Sequence, residues 1–432
     1  MKRDIYQKLL NWKSSPRRKP LILRGARQVG KTYILKEFGE KEYQNVAYFN
    51  FEEDPSLHEL FLGRILPDKI IERLSIYLET QIYPEKTLII FDEIQNSPET
   101  LTSLKYFHEN ANEYHIVSAG SLLGVKLGQS APFPVGKVNF FILYPFSLGE
   151  YLAGIGKTQL RAFLSEKSNF DPIEKSFHEE LIEHLKMYTF VGGMPEAILQ
   201  YTEDKDLNKV RDIQNEILTS YIMDFSKYAS KSDSIKITNT WNSIPNHLAK
   251  ENKKFKFSEI SKNARARDYS EAIQWLSDSG LVYKSYNIKS PKLPLSGYRE
   301  NNIFKLFLLD TGLLGAMLNV SQRTIIEGNR LFSEYNGAFT ENYAAQELIA
   351  NGFKELYYWT SKSSAEVDFI VSFNEMIYPF EIKAGISKKK KSLKIYGEKF
   401  KPPILSRATL MNFKKDNNLC NYPLYAISLF PV

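Results

Sequence analysis

The chain has 432 residues, 43% of them hydrophobic and 25% charged, with a formal charge of +7. This is the balance of a soluble globular protein, too long for one ordinary core, so roughly two to four domains are expected. No apolar run approaches the ~20 residues of a membrane span, and the one cysteine, Cys420, excludes an internal disulfide and a cysteine-built zinc site.

The opening MKRDIYQKLL lacks the apolar core of a secretory leader. The spacing of Ile5, Leu9 and Leu10 predicts an amphipathic helix packed on the body. The expected setting is a reducing cytoplasm, with no membrane as partner. The surplus of +7 permits contact with DNA without demanding it.

The strongest signal is Leu21–Thr32, LILRGARQVGKT. From Gly25 to Thr32 it fits G-x-x-x-x-G-K-[ST], with an apolar strand before it and a helical pattern after it. Phosphates are bulky anions that backbone N–H groups must wrap closely, and glycines at 25 and 30 permit this. Gly25, Ala26, Arg27, Gln28, Val29, Gly30, Lys31 and Thr32 are therefore the expected nucleotide-binding loop, with ATP as ligand. The helix that starts there points its positive end at the phosphates. Lys31 is expected to reach the β- and γ-phosphates, and Thr32 to ligate Mg²⁺.

Thr87–Gln95, TLIIFDEIQ, reads as a buried parallel strand with two acids at its C-terminal end, where open α/β sheets bind ligands. Asp92 is the expected magnesium partner. Glu93 is the expected general base, a catalytic residue. His115–Ser121 reads as another strand, with Ser121 a candidate for the γ-phosphate or the attacking water. Gly154–Thr158 (GIGKT) imitates the phosphate motif, but Tyr151 stands where its first glycine belongs, and a helical pattern precedes it. Strands at Val46–Phe51 and Val138–Leu143 and a helix at Pro67–Glu79 complete a doubly wound parallel α/β sheet.

GARQVGKT, IIFDEIQ, VSAGS, YPFSLGEYL (Tyr144–Leu152) and VGGMPEA (Val191–Ala197) follow one another in this order. The series resembles a family of bacterial and archaeal AAA-type P-loop ATPases fused to a C-terminal domain of unknown function. The resemblance covers nearly the whole chain. It implies an AAA-type ATPase core at 1–150 and a helical lid or connector at 151–232. It also implies a restriction-endonuclease-like fold, with a PD-(D/E)XK core, for the C-terminal domain. The family carries an arginine after the glycine that precedes the fifth strand, and here that site is Gly136-Lys137. Lysine is a point charge where arginine is a planar fork. If the position serves as a finger or sensor, hydrolysis is expected to be slow. Arg27 is a candidate substitute, with a solvated loop residue as the equally open alternative.

Residues 151–230 show helical periodicity, and Gly192-Gly193 with Pro195 marks a break, read as a turn rather than a hinge. Residues 233–325 read as a winged helix. The pattern is a helix near Trp241–Lys250, a short helix capped by Ser258, a second helix closed by Gly280, and strands at Leu281–Ile288 and Ile303–Leu309. Lys262, Arg265 and Arg267 lie near the start of the second helix, which makes DNA a candidate partner. A structural spacer or a protein-docking piece remains the alternative.

Residues 326–432 hold the second constellation. Phe339, Tyr343, Ala344 and Leu348 define a helical face. A strand follows at Leu356–Trp359, then a hairpin of Val367–Ser372 and Ile377–Ile382 turning at Phe373-Asn374-Glu375. The spacing D-x₁₂-E-x-K brings Asp368 near Glu381, with Lys383 two residues on. Two carboxylates with Mg²⁺ or Mn²⁺ polarise a phosphate, and a lysine steadies the developing charge. Asp368, Glu381 and Lys383 are thus candidate catalytic residues, and Glu341, Asp368 and Glu381 candidate metal ligands. Glu366 is read as a solvent-facing neighbour on the opposite face. Lys388–Lys391 offers a basic run for phosphates, and Tyr422–Phe430 a last buried strand.

Two functions stay open at this stage. One is an Mg-dependent ATPase that controls a metal-dependent DNA-cleaving domain. The other is a nucleotide-switched DNA- or protein-binding module whose nuclease-like domain is inactive. A homo-oligomer or a partner protein is compatible with both.

Overall fold

The computed structural model describes residues 1–121, 134–250, 253–322, 324, 337–361, 365–385 and 391–431. The chain divides into two compact units, one of residues 1–144 with 278–280 and the other of 145–277 with 281–432.

The first unit is built on five parallel strands: β1 (Leu21–Arg24), β2 (Asn45–Asn50), β3 (Thr87–Asp92), β4 (His115–Gly120) and β5 (Asn139–Ile142). Their order is β2-β3-β4-β1-β5. Strands β3 and β4 are buried along their whole length, as two-sided coverage by helices requires of an apolar parallel strand. The helices Lys31–Glu42, Pro67–Tyr77 and Pro98–Asn110 return the chain between strands. The third starts on a Ser97 cap with Pro98 in its first turn, where a missing N–H costs nothing. Phe49, Phe51, Phe61 and Phe91 pack together in the core. The chain leaves β1 for β2 at one edge of the sheet and β4 for β5 at the other. The reversal puts the switch point between β1 and β4, beside the phosphate loop.

The second unit begins with helices Leu148–Gly154, Thr158–Ser165, Lys175–Val191, Pro195–Asp204 and Leu207–Tyr228. The GIGKT stretch joins two of them, with no strand before it. The Gly192-Gly193 break is a close-packed turn. Gly192 has φ +77°, and a Cβ on Gly193 would lie 2.3 Å from the Phe146 carbonyl oxygen. The Gly193 N–H donates to Asp310 Oδ2 at 2.5 Å.

Strands β6 (Val282–Ile288) and β7 (Arg299–Leu308), expected as the free wing of a separate 233–325 domain, are the end of a larger sheet. With β8 (Leu356–Thr360), β9 (Glu366–Phe373), β10 (Met376–Ile382), β11 (Leu405–Thr409), β12 (Lys414–Asp416) and β13 (Leu419–Pro423), they make eight strands. Their order is β12-β13-β11-β10-β9-β8-β6-β7. The partner that draws β6 in is β8, parallel to it from Ser285–Leu356 to Ile288–Trp359. Helices Lys231–Leu248 and Ala266–Asp278 are present as expected, but Ser258 lies in a 3₁₀ turn, Phe257–Glu259, rather than an α-helix. The sheet therefore crosses the 325/326 boundary drawn from the sequence.

The hairpin β9–β10 turns at Asn374-Glu375, both with positive φ (+46° and +61°), the geometry of a tight two-residue turn. The last strand ends at Pro423, which has no N–H to continue a ladder. A 3₁₀ helix, Leu424–Leu429, replaces the rest of the expected Tyr422–Phe430 strand. Helix Ala338–Ala350 is buried from Ala338 through Ile349 rather than on one face. Its polar side chains therefore find partners inside. Asn342 exchanges two bonds with the Leu308 backbone, Gln346 takes the Thr311 N–H and donates to Tyr188, and Glu347 takes the Leu148 N–H. No helix among the described residues is long and apolar enough to cross a membrane.

Candidate functional site

In the first unit, the loop from Gly25 to Gly30 connects β1 to the helix Lys31–Glu42. Gly25 has φ +153°, and a Cβ there would lie 2.3 Å from the Leu143 carbonyl oxygen. Gly30, at φ +92°, turns the chain into the helix. Arg3 holds the loop from behind, donating to Val29 O at 3.1 Å and Tyr144 O at 2.6 Å. An arginine in the opening segment gave no sign of this role.

The Lys31 ammonium lies within the loop, donating to Gly25 O at 3.1 Å and Ala26 O at 2.8 Å. It is only 6% exposed. Burial lowers its pKa to about 8, against the pull of Glu93 and Asp92, and the Arg27 charge pushes the same way as burial. Phosphate oxygens are stronger acceptors than the two carbonyls it now uses.

Thr32 Oγ1 donates to Asp92 Oδ2 at 2.6 Å, joining the start of the helix to the end of β3. The Tyr48 hydroxyl, on β2, donates to the same oxygen at 2.9 Å. Tyr48 was not singled out from sequence, although its alternation in β2 places it beside β3. A hydroxyl and a carboxylate at a helix N-terminus are hard oxygen donors of the kind magnesium takes together with phosphate. The residues fit that ion, and Thr32 and Asp92 are the ones that would hold it. Glu93 is the next residue, in a left-handed conformation at φ +49° that turns its side chain out of the strand line. Its Oε2 accepts from Gln95 and, at 3.4 Å, from Ser121 Oγ. The structure thus brings Thr32, Tyr48, Asp92, Glu93 and Ser121 to one end of the sheet.

Lys137 stands apart from that group. It precedes β5, whose Asn139 is level with Leu21 at the start of β1, so it lies at the opposite end of the parallel strands from the loop. Its ammonium pairs with Glu109 at 2.9 Å.

The second constellation lies wholly in the second unit. Asp368 Oδ2 accepts the Ile382 N–H at 2.7 Å across the β9–β10 hairpin. The antiparallel register, which pairs Phe380 with Phe369, continues by one step to place Glu381 opposite Asp368. Lys383 Nζ lies 3.0 Å from Glu381 Oε1. The motif residues are therefore neighbours, but Glu341 is committed elsewhere. One of its oxygens is ion-paired with Lys253 and the other with Lys305 Nζ at 3.2 Å. Lys305 is fully buried on β7 and also meets Glu366 Oε1 at 2.5 Å. Among the described residues, no three acidic, histidine or cysteine side chains are placed to hold a metal ion. The expected shell of Glu341, Asp368 and Glu381 is not assembled.

Glu366 needs a correction. Side chains two apart on a strand share a face, so Glu366 lies beside Asp368, not opposite it, and is the counter-ion of Lys305. Lys305 itself had a readable signal, a lone charge inside the apolar run IFKLFLL, since lysine is almost never fully buried without a partner. Lys253 had none.

The fields follow from this pairing. Burial raises the Asp368 pKa to about 7, and the Glu341 charge adds to it. Burial would raise Glu341 too, but Lys253 and Lys305 hold it below the usual carboxylate range. Burial would lower Lys305, yet Glu341, Glu366 and Asp368 raise it. Burial pushes Glu381 up against Lys383 and Arg407. Of the basic run, 388–390 lie outside the described residues.

Three family models match the chain. Residues 17–152 match one described as an AAA domain. Residues 182–324 match a domain of unknown function (DUF8612), and 336–427 another (DUF4143). An uncharacterized protein of Methanocaldococcus jannaschii is 26% identical over 230 residues, 50% of this chain and 44% of that one. An uncharacterized protein of Mycobacterium tuberculosis is 36% identical over 88 residues, 20% of this chain and 19% of that one. The matched stretches thus span less than half of each relative's length. Among solved structures, the Walker-type ATPase PABY2304 of Pyrococcus abyssi aligns over 73% of this chain and 95% of that one, at 12% identity and a TM-score of 0.46. The N-terminal match, the parallel sheet and the complete Gly25–Thr32 sequence motif agree: residues 17–152 are an AAA-type P-loop domain.

Proposed function

We propose that the chain is a magnesium-dependent ATP hydrolase whose N-terminal domain governs a C-terminal domain that binds its target without cutting it. The observation that carries the first half is the Thr32–Asp92 contact of 2.6 Å. It sets two magnesium-type donors beside Lys31, with Glu93 next in the chain. In this reading the loop N–H groups and Lys31 bind the phosphates. Magnesium, held by Thr32 and Asp92, neutralises the charge that develops on them. Glu93 orients the attacking water and takes its proton, and Ser121 steadies the Glu93 carboxylate.

For the second half, metal-dependent DNA cleavage and binding alone are the two candidates. The double pairing of Glu341 with Lys253 and Lys305 favours binding. The exposed Lys262, Arg265 and Arg267 at the start of helix Ala266–Asp278 make DNA the candidate target.

The test is phosphate release from ATP with and without Mg²⁺, run beside supercoiled DNA under Mg²⁺ or Mn²⁺. Magnesium-dependent release that is lost in Glu93→Gln, with intact DNA, is the expected result. No release by a protein that binds ATP would refute the hydrolase. DNA cutting that is lost in Asp368→Ala would refute the binding reading.

A further inference from the structure

The C-terminal carboxylates are already neutralised by cations that belong to the chain. Glu341 uses both oxygens on lysines, one on Lys253 and the other on Lys305 at 3.2 Å. Lys305 continues to Glu366 at 2.5 Å and lies 4.9 Å from the centre of the Tyr358 ring. Asp368 accepts the Ile382 N–H and feels the charge of Lys383. Glu381 pairs with Lys383 and lies opposite Arg407 on the next strand. Four carboxylates (Glu341, Glu366, Asp368, Glu381) thus stand against four cations (Lys253, Lys305, Lys383, Arg407).

We infer that Lys253 and Lys305 are resident counter-ions that close this cluster to divalent metal. The argument is electrostatic. A divalent ion added beside Lys253 and Lys305 brings two further positive charges into a poorly solvated place that already holds two cations, which is strongly unfavourable. To reach Glu341, it must displace the Lys305 ammonium, which two carboxylates hold in a fully buried position. An exposed lysine would yield cheaply, because surface pairs are worth little. Lys305 has no exposed surface. Glu381 Oε2 is buried without a hydrogen-bond partner. It belongs to a carboxylate that already pairs with Lys383 and lies opposite Arg407, and magnesium or manganese needs several oxygens at once. The placement also gives the lysines a structural role. Lys253 comes from the segment after helix Lys231–Leu248, and Lys305 from the far strand of the sheet. Through Glu341 both are tied to the same buried helix, Ala338–Ala350.

The inference deepens the binding reading of the C-terminal domain, and its test is independent of ATP hydrolysis. Mn²⁺ bound per full-length chain is counted by electron paramagnetic resonance without nucleotide. The count in wild type is expected to be unchanged by Glu341→Gln and by Asp368→Asn. Replacing both Lys253 and Lys305 by Met is expected to add one Mn²⁺ per chain, lost again when Asp368→Asn is combined with it. A wild-type count that falls by one in Glu341→Gln or Asp368→Asn would overturn the inference. So would a folded double variant that gains no Mn²⁺. Lys253→Met alone, which leaves Lys305 between Glu341 and Glu366, is the milder variant if the double one does not fold. The wild-type arm decides the matter whichever variant is recovered.

Discussion

Two acidic pairs lie at or near the ends of apolar strands in this protein, and they meet different company. Asp92 and Glu93 end β3, facing hydroxyls from Thr32, Tyr48 and Ser121. Asp368 and Glu381 face each other across β9 and β10, amid lysines from their own and distant segments. The first pair is hydrogen-bonded by neutral hydroxyls, with the Lys31 ammonium held on the loop carbonyls nearby, and in the reading proposed above it takes a metal together with phosphates. The second is neutralised within the chain. Carboxylates near the ends of strands do not make a metal site; what stands opposite them decides.

The largest effect expected on this contrast is at Glu93. Glu93→Gln removes the base and leaves the loop intact, so ATP hydrolysis should fall roughly 10²–10⁴-fold while binding is kept. A variant that hydrolyses at the wild-type rate would take the chemistry away from Glu93.

Next comes Lys305→Met. It fills a similar volume but leaves Glu341 and Glu366 short of a buried cation. A loss of about 3–5 kcal/mol is expected in urea unfolding followed by tryptophan fluorescence. A loss below about 1 kcal/mol would mean that the cluster is solvated like a surface pair.

Asp310 is a buried acid outside both pairs. It accepts from Gly193 and Leu313 with different oxygens, so Asn at 310 would turn an NH₂ toward an N–H. A cost of about 1–3 kcal/mol near neutral pH is expected. Burial raises the Asp310 pKa to about 6 from an ordinary 3.8. Because the folded value is raised, the stability linked to this group is present below about pH 4 and is lost as pH rises through about 6. Asp310→Asn lacks that titration, so its deficit should be larger near pH 5 than near pH 7.5. The opposite order in paired unfolding curves would contradict the assignment.

Tyr48→Phe should be mildest, removing one bond to Asp92 worth about 1 kcal/mol. The expected sign is a several-fold shift in the Mg²⁺ needed for half-maximal hydrolysis, with ATP affinity unchanged. A change in ATP affinity alone would place Tyr48 at the nucleotide rather than behind the metal.

The legibility of the two regions differs for the same physical reason that their chemistry does. The phosphate loop is contiguous, so Gly25 to Thr32 could be read from local spacing, and the apolar runs at 87–92 and 115–120 gave β3 and β4 directly. The C-terminal pairings are long-range. Lys253 and Lys305 meet Glu341 from 88 and 36 residues away, and no local pattern encodes such a meeting. The pairing of β6 with β8 joins Ser285 to Leu356, which is why β6 and β7 read as a free wing. The Glu366 placement was different, because alternation along β9 contained the right answer.

The most direct test of the account is a calorimetric titration of ATP, with Mg²⁺, into the wild-type chain and Lys31→Ala. Saturable binding at one site per chain, abolished in Lys31→Ala, is the expected result. Proton uptake on binding near pH 8 is expected with it, because phosphates favour the charged form of a buried Lys31 whose pKa lies at about 8. Binding that survives in Lys31→Ala, or no binding by the wild type, would contradict the assignment of the Gly25–Thr32 loop as the nucleotide site.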